Sequence, residues 1–201
     1  LRFMPCLGPF LAATRLRIDP KQALTVLRFP TTRIMVKAGE QKTVMQQRER
    51  IMSEYGATVA WHLKPGASFD YEHFNREHEW TFAGGEVVQA SASPEYFGCG
   101  NRVNPDEAVI AATSSCHMLT FLSIAAKQGL KVLSYIDQPA GTVEKAGDGH
   151  MAITRIVLRP RVVFDDGQEP DAAALDKLHA SAHRNCFVAN SLKAEISIEP
   201  Q

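Results

Sequence analysis

Two cysteines in this 201-residue chain stand in surroundings that favour thiol chemistry. Cys116 lies in the polar run Thr113–His117, inside a stretch otherwise made of Ala, Val, Ile, Leu and Phe. Cys186 follows His183 and Arg184, and a basic setting favours the thiolate form that acts as a nucleophile. Each cysteine alone is also typical of a small buried residue. Together the two indicate either a redox-active dithiol or part of a metal site.

A metal site is the first alternative to a redox pair. His179, His183 and Cys186 are spaced i, i+4 and i+7, which places them on one face of a helix. With Cys116 or His117 they would complete a tetrahedral set of zinc ligands. The sequence has no Cys-x-x-Cys and no His-Glu-x-x-His motif, so the spacing supports metal binding only weakly.

Composition excludes several classes of protein. Apolar residues make up 45% and charged residues 22% of the chain, which are globular values and exclude disorder throughout. Lys+Arg and Asp+Glu both number 22, and this balance argues against a nucleic-acid-binding face. Four cysteines are too few for a secreted disulfide scaffold. No membrane partner is expected, because small polar residues and a histidine interrupt the most apolar stretch, residues 108–126.

The first fifty residues differ in charge from the remainder. Residues 1–50 carry 10 Lys/Arg and 3 Asp/Glu, whereas residues 51–201 carry 12 and 19. Such an Arg-rich, acid-poor segment is typical of an organellar transit peptide, and a mis-translated extension before Met52 is the other interpretation. We expect residues 1–51 to be a disordered leader or extension and residues 52–201 to be the globular domain. The protein is expected in the cytoplasm, which suits free thiols, unless the leader is a genuine transit peptide.

Local patterns predict the elements that must position the cysteines. Asn104–Glu107 combines an N-cap, a first-turn proline and a capping box, so a long helix should begin there and end near Gly129. A second amphipathic helix is expected over residues 170–185, followed by an irregular stretch over residues 185–190. Strands are expected over residues 58–61, 79–82, 87–90, 131–137, 141–145, 152–164 and 192–198. Helices separated by runs of strands give an α+β domain with antiparallel sheets.

Two blocks of the sequence resemble the OsmC/Ohr family of thiol peroxidases. They are Asn104–Glu107 with Ala111–Cys116, and Asn185–Phe187 with Ser191–Glu195. In that family a cysteine follows ten residues after the acid of an Asn-Pro-Glu motif, and a second cysteine precedes the last strand. Asp106 and Cys116 have the same separation here. The resemblance extends over about residues 57–199.

The resemblance implies a fold, an activity and partners. The fold would be OsmC-like, with antiparallel sheets around a long buried central helix in an intertwined homodimer. The activity would be the reduction of organic hydroperoxides to alcohols, through a cysteine sulfenic acid and an intramolecular disulfide, in oxidative-stress defence. No cofactor is implied, and the reductant would be a thioredoxin-like or lipoyl dithiol protein. A metal-binding protein and a ligand-binding module without turnover are the alternatives.

Residue by residue, the resemblance assigns Cys116 as the peroxidatic cysteine and Cys186 as the resolving cysteine. Arg76, near the start of the second strand, takes the position of the family's active-site arginine and would favour the Cys116 thiolate. Asp106 would hold the guanidinium in place, with Glu107 as the alternative carboxylate. We also expect an apolar substrate pocket formed by Met118, Phe121 and Phe187.

Helix geometry adds a constraint on these assignments. Ten residues separate Asp106 from Cys116 by roughly 15 Å along a straight helix and turn them about 80° apart. The two side chains therefore cannot touch within one helix. Either Arg76 spans part of that distance or a second copy of the chain supplies the carboxylate. A long apolar helix also requires a partner surface, and both points favour a homodimer with sites at its interface.

Overall fold

The computed structural model describes residues 53–201, and the predicted leader, residues 1–51, lies outside the described residues. The described chain forms strands, three α-helices and one 3₁₀ turn at Pro94–Tyr96. The strands are β1 Ala57–Ala60, β2 His78–Phe82, β3 Val87–Ala90, β4 Val132–Asp137, β5 Ala140–Lys145, β6 Met151–Leu158, β7 Pro160–Phe164 and β8 Glu195–Ile198. The helices are α1 Pro105–Lys127, α2 Ala172–Arg184 and α3 Phe187–Ser191.

Helix α1 begins where its capping signals predict. The Asn104 side-chain oxygen accepts hydrogen bonds from the backbone N–H groups of Asp106, at 2.6 Å, and Glu107, at 3.3 Å. In return, Glu107 Oε2 accepts from the Asn104 backbone N–H at 3.0 Å, so the predicted capping box is confirmed. The helix ends at Lys127, and Gly129 follows with a left-handed φ of +77°. Only glycine adopts that conformation without strain, which explains the stop.

The core lies where α1 and α2 pack together beside β7. Phe121 and Ala125 of α1, Leu178 and Ala182 of α2, and Phe164 of β7 form one buried cluster. The period of the two helices places these side chains on their facing sides. Apolar packing in this cluster therefore holds α2 against α1.

The sheets are mostly antiparallel, as predicted, with one exception. The strand orders are β1-β2-β3, β4-β7 and β5-β6-β8. The pairs β2/β3, β4/β7 and β5/β6 are antiparallel, whereas β6 and β8 are parallel. The last strand is parallel because the chain crosses over through α2 and α3 before it returns beside β6. This α+β architecture is the predicted fold class.

The strand predicted over residues 152–164 is wrong as a single element. It is divided into β6 and β7, which belong to different sheets. Pro160 has no N–H group to donate to a neighbouring strand. The Arg159 N–H donates to the side chain of Asp137 at 2.6 Å instead of to a strand backbone. The chain therefore changes sheets at this point.

Helix α1 buries one face within a single chain. Its buried residues are Thr113, Ser114, His117, Phe121 and Ala125. On another face Leu119 is 58% exposed. By length and composition α1 is the one helix of the described residues that could cross a membrane, and the core helix of a soluble protein passes the same test. The central helix thus leaves an apolar surface uncovered in one chain.

The loop between β3 and α1 depends on a close backbone approach at Gly98. A Cβ atom added there would lie 1.7 Å from the Ala92 carbonyl oxygen. The Gly98 N–H donates to the Ser93 carbonyl at 3.0 Å, and Phe97 beside it has a left-handed φ of +61°. Because the obstructing atoms are backbone, no change of rotamer makes room for a side chain.

We expect Gly98→Ala to lower the free energy of unfolding by about 2 kcal/mol or more, since the backbone must shift to admit a methyl group. Urea denaturation measures this loss. Gly84→Ala is the matched control, because a Cβ at Gly84 meets nothing within 4 Å, and it should stay close to wild-type stability. Equal stability of the two variants would contradict the close approach.

Candidate functional site

The structure brings Cys116 and Cys186 together. Cys116 lies halfway along α1 and is half-buried, whereas Cys186 is 0% exposed at the junction of α2 and α3. Both cysteines are free thiols, and Cys116 lies close enough to Cys186 to contribute to the raised pKa of the Cys186 thiol. The Cys186 thiol also lies 4.0 Å from the carbonyl oxygen of Thr113, one turn before Cys116. The C-terminal end of α2 therefore sits over the midpoint of α1, which is the packing a disulfide between these residues needs.

Cys186 is held by its local structure as well as by its burial. Its N–H donates to the His183 carbonyl at 3.2 Å, which continues the last turn of α2. Its Sγ accepts from the Ala189 N–H at 3.5 Å, so the thiol caps α3. Because of this cap, the stretch predicted to be irregular forms a short helix. The prediction missed this helix because a cysteine sulfur is not one of the usual helix-capping groups.

Burial raises the pKa of the Cys186 thiol to about 11. The Ala189 N–H opposes this shift, and the neighbouring Cys116 adds to it. Cys186 is therefore protonated at neutral pH. A protonated, fully buried thiol is a poor nucleophile toward molecules arriving from solution.

Cys116 opens onto a groove of about 730 Å³ along the outer side of α1. Leu119 and Ile124 form part of its apolar wall, and Lys127 lies at one end. Phe187, at the start of α3, also lines the groove and is 81% exposed. An apolar molecule can therefore reach the sulfur of Cys116 from this side.

Of the three residues predicted for the substrate pocket, Phe187 lines this groove, whereas Met118 and Phe121 do not. Phe121 is fully buried in the core against Tyr135 and His179. Met118 does not line the groove. Met118 and Phe121 follow Cys116 by two and five residues, so they point to other sides of the helix. Residues three, four and eight positions after Cys116 share its side. That period selects Leu119, Thr120 and Ile124, which line the groove and which the sequence analysis missed.

Arg76 is buried, at 9% exposure, and its guanidinium is bound by backbone. It donates to the carbonyl oxygens of Phe74 and Tyr71. The guanidinium carbon also lies 3.7 Å from the centre of the Phe74 ring, a cation–π geometry. These contacts fix the cation rigidly in a cavity of about 580 Å³.

Asp106 lines the same cavity as Arg76, but the two make no ion pair among the described residues. The predicted pair is not formed within one chain, where the guanidinium donates to backbone carbonyls. The alternative carboxylate, Glu107, is engaged in the capping box with Asn104. Four aromatic side chains also line the cavity: Trp61, Phe69, Phe74 and Tyr96.

The predicted site residues therefore fall into two groups within one chain. The thiol half consists of Cys116 and Phe187, which line the groove, and of Cys186, which is buried beside Cys116. The arginine half consists of Arg76 and Asp106 and faces the aromatic cavity. Among residues 53–201, no residue lines both spaces, so this part of a single chain does not place the guanidinium at the sulfur of Cys116.

The histidines proposed as metal ligands form a different arrangement. His117 Nε2 and His179 Nδ1 lie 3.1 Å apart, and their rings stack with centres 5.5 Å apart and planes at 8°. Within residues 53–201, no group of three or more His, Cys, Asp or Glu side chains has the geometry to hold a metal ion. The metal-site alternative therefore finds no geometric support in the described part of the chain.

Burial, together with the neighbouring His179 and His183, lowers the pKa of His117 to about 4. Burial also lowers the pKa of His179, which Asp176 and Asp137 partly oppose. Both imidazoles are consequently neutral at pH 7. A neutral pair can share one hydrogen bond, with one ring donating and the other accepting.

Comparison with known proteins places this arrangement in a recognised fold. A sequence model described as OsmC-like protein matches residues 98–201. An OsmC-like protein of unknown function from Vibrio cholerae is 44% identical, with a TM-score of 0.72 over 75% of this chain and 100% of that chain. The organic hydroperoxide resistance protein OhrB of Bacillus subtilis shares the fold at 15% identity, with a TM-score of 0.52 over 73% of this chain and 98% of that chain. The uncharacterized protein YmaD of Bacillus subtilis is 25% identical over 127 residues, which cover 62% of this chain and 84% of YmaD.

We predict that His117 makes the fold sensitive to acid. Its pKa is lower when folded than the ordinary value of 6.5, so the unfolded chain binds the proton more tightly. The stability present above pH 6.5 is therefore lost as the pH falls toward 4. Between pH 7 and pH 5 the free energy of unfolding should fall by about 2 kcal/mol from this residue.

Urea denaturation at both pH values tests this expectation in the wild type and in His117→Gln, which does not titrate. The variant should lose most of the pH dependence. His150→Gln, at an exposed histidine, is the control and should keep the wild-type dependence. An unchanged pH dependence in His117→Gln would show that other groups cause it.

Proposed function

Because this chain belongs to the OsmC-like protein family, we propose that it reduces organic hydroperoxides with the Cys116–Cys186 thiol pair. The observation that carries the proposal is that a fully buried thiol, Cys186, lies beside the half-buried Cys116 on the midpoint of α1. Proteins of the same fold include some named for organic hydroperoxide resistance. The apolar groove at Cys116 supports an organic substrate over hydrogen peroxide.

In the first step, the Cys116 thiolate attacks the outer oxygen of the hydroperoxide. A sulfur–oxygen bond forms and the oxygen–oxygen bond breaks, so that the sulfur is oxidised to a sulfenic acid and the peroxide is reduced. The departing alkoxide takes up a proton and leaves as the alcohol. The organic part of the substrate lies along the apolar wall of the groove, against side chains such as Leu119 and Phe187.

In the second step, the Cys186 sulfur attacks the sulfenic sulfur of Cys116. A disulfide forms, the sulfur–oxygen bond breaks, and the hydroxyl leaves as water with the proton from Cys186. Burial protects Cys186 from direct attack by peroxide, while contact with Cys116 supplies a high local concentration of the thiol. A dithiol protein, thioredoxin-like or lipoyl, then reduces the disulfide in a reducing compartment such as the cytoplasm.

The active form we propose is an intertwined homodimer. In one chain, large apolar side chains are exposed on α1 and α3, with Leu119 at 58% and Phe187 at 81%. Contiguous exposed apolar surface of this kind marks an interface. A second copy that covers the groove would bring its arginine half to the thiol half of the first. The guanidinium of Arg76 would then favour the Cys116 thiolate across the interface.

Turnover assays test the chemistry with cumene hydroperoxide and a dithiol. Cys116→Ser should lose all dithiol-dependent consumption of hydroperoxide. Cys186→Ser should consume about one equivalent to form the sulfenic acid and a second as Cys116 over-oxidises to the sulfinic acid, and then stop, because no resolving thiol remains. Met151→Ser, which replaces an exposed sulfur side chain away from both halves, should keep wild-type turnover. A folded wild type without turnover would contradict the proposal and favour a ligand-binding module.

Mixing inactive variants tests whether two chains share each site. After subunit exchange, Arg76→Gln and Cys116→Ser should form heterodimers with one intact site, which gives about a quarter of wild-type activity. Cys116→Ser mixed with Cys186→Ser is the control, and it should recover nothing because both thiols must come from one chain. No recovery in the first mixture would show that each chain supplies its own arginine. If Arg76→Gln does not fold, Arg76→Lys replaces it in the same experiment.

A further inference from the structure

A buried pair of histidines joins the two helices that lead to the thiols. His117 of α1 is 1% exposed and His179 of α2 is 3% exposed. Their 3.1 Å contact and stacked rings make a hydrogen bond that is closed to solvent. In such surroundings a hydrogen bond has little competition from water, and removal of one partner leaves the other buried without it.

The histidine pair lies beside the thiol pair along both helices. On α1, His117 is the residue after Cys116, and the turn that begins at Thr113 also contacts the Cys186 thiol. On α2, His179 precedes Cys186 by seven residues, which is about two helical turns. The Cys186 N–H bonds back to the His183 carbonyl, so Cys186 moves with the end of α2. Any sliding or rotation of α2 on α1 therefore changes both pairs together.

Apolar packing alone does not set this register strongly. The facing side chains Phe121, Ala125, Leu178 and Ala182 make non-directional contacts, which tolerate small shifts between helices. A buried hydrogen bond is directional, and a single buried polar contact is known to specify helix register. The hydrogen bond between His117 and His179 is such a directional contact, and it lies one residue away from Cys116.

We propose that His117 and His179 are positioning residues that hold Cys186 against Cys116 and so set the stability of the Cys116–Cys186 disulfide. The use of this disulfide in turnover rests on the proposed function. The stability of the disulfide itself does not, because glutathione can replace peroxide as the oxidant. In that exchange, the dithiol protein and oxidised glutathione give the disulfide protein and two molecules of reduced glutathione, so sulfur atoms, protons and electrons balance.

The experiment measures this equilibrium by mass spectrometry after acid quenching, in the full-length protein. His117→Phe and His179→Phe keep an aromatic ring but break the hydrogen bond, and each should lower the equilibrium constant at least tenfold, about 30 mV. His117→Gln/His179→Gln restores a donor and an acceptor and should return the constant to within about threefold of wild type. Phe164→Leu, in the same core cluster on β7, is the control for general destabilisation and should leave the constant unchanged.

Two results would overturn the proposal. One is a wild-type equilibrium constant in phenylalanine variants whose circular dichroism shows that they are folded. The other is a drop in Phe164→Leu as large as theirs, which would indicate a merely structural effect. If the phenylalanine variants do not fold, His179→Gln and His179→Met replace them, since these differ mainly in hydrogen bonding, and equal constants for those two also overturn it.

The same measurements separate this inference from the proposed function. A wild type that forms the disulfide with glutathione but does not turn over hydroperoxide contradicts the proposed function and leaves the positioning role intact. If hydroperoxide turnover is normal and the equilibrium constants of the phenylalanine variants equal that of the wild type, the positioning role is contradicted and the proposed function stands.

Discussion

The chemistry of this protein depends on where helix α2 ends on helix α1. That packing brings the buried thiol of Cys186 to the midpoint of α1, in contact with Cys116. The same packing gives the two sulfurs different environments. Burial keeps Cys186 protonated, with a pKa of about 11, and out of reach of solutes. Cys116 opens onto the groove and can meet a substrate first.

The other constraint is the separation of the cation from the thiols. Backbone carbonyls and an aromatic ring fix Arg76 in its own cavity. The groove at Cys116 instead carries an uncovered apolar surface. A dimer would resolve both features at once, because covering that surface also brings a cation to the sulfur. One chain thus brings the two thiols together, and the proposed dimer would add the cation that activates them.

Local rules predicted much of the fold and less of the site. The start of α1 follows from the Asn104–Glu107 capping box, and its end follows from Gly129, because both depend on neighbouring residues. The break at Pro160 was missed because the Arg159 N–H is taken by Asp137, which is distant in sequence. Phe121 lies in the core and not in the groove, because a residue five positions after Cys116 points to another side of the helix.

The contacts that define the site are tertiary, and no local pattern encodes them. The resemblance implied a pairing of Cys116 with Cys186, but only helix packing shows the two thiols in contact. The hydrogen bond between His117 and His179 joins residues 62 positions apart. In the sequence, the spacing of the histidines gave only weak support for a metal site and no indication of this hydrogen bond.

The central claim is that Cys116 and Cys186 act as one redox pair, and its most direct test is peptide mass mapping after one equivalent of cumene hydroperoxide. The account predicts an intramolecular Cys116–Cys186 disulfide as the main product, because the two thiols are already in contact. A bridge from Cys116 to Cys99, or a sulfinic acid at Cys116 with Cys186 still reduced, would contradict it.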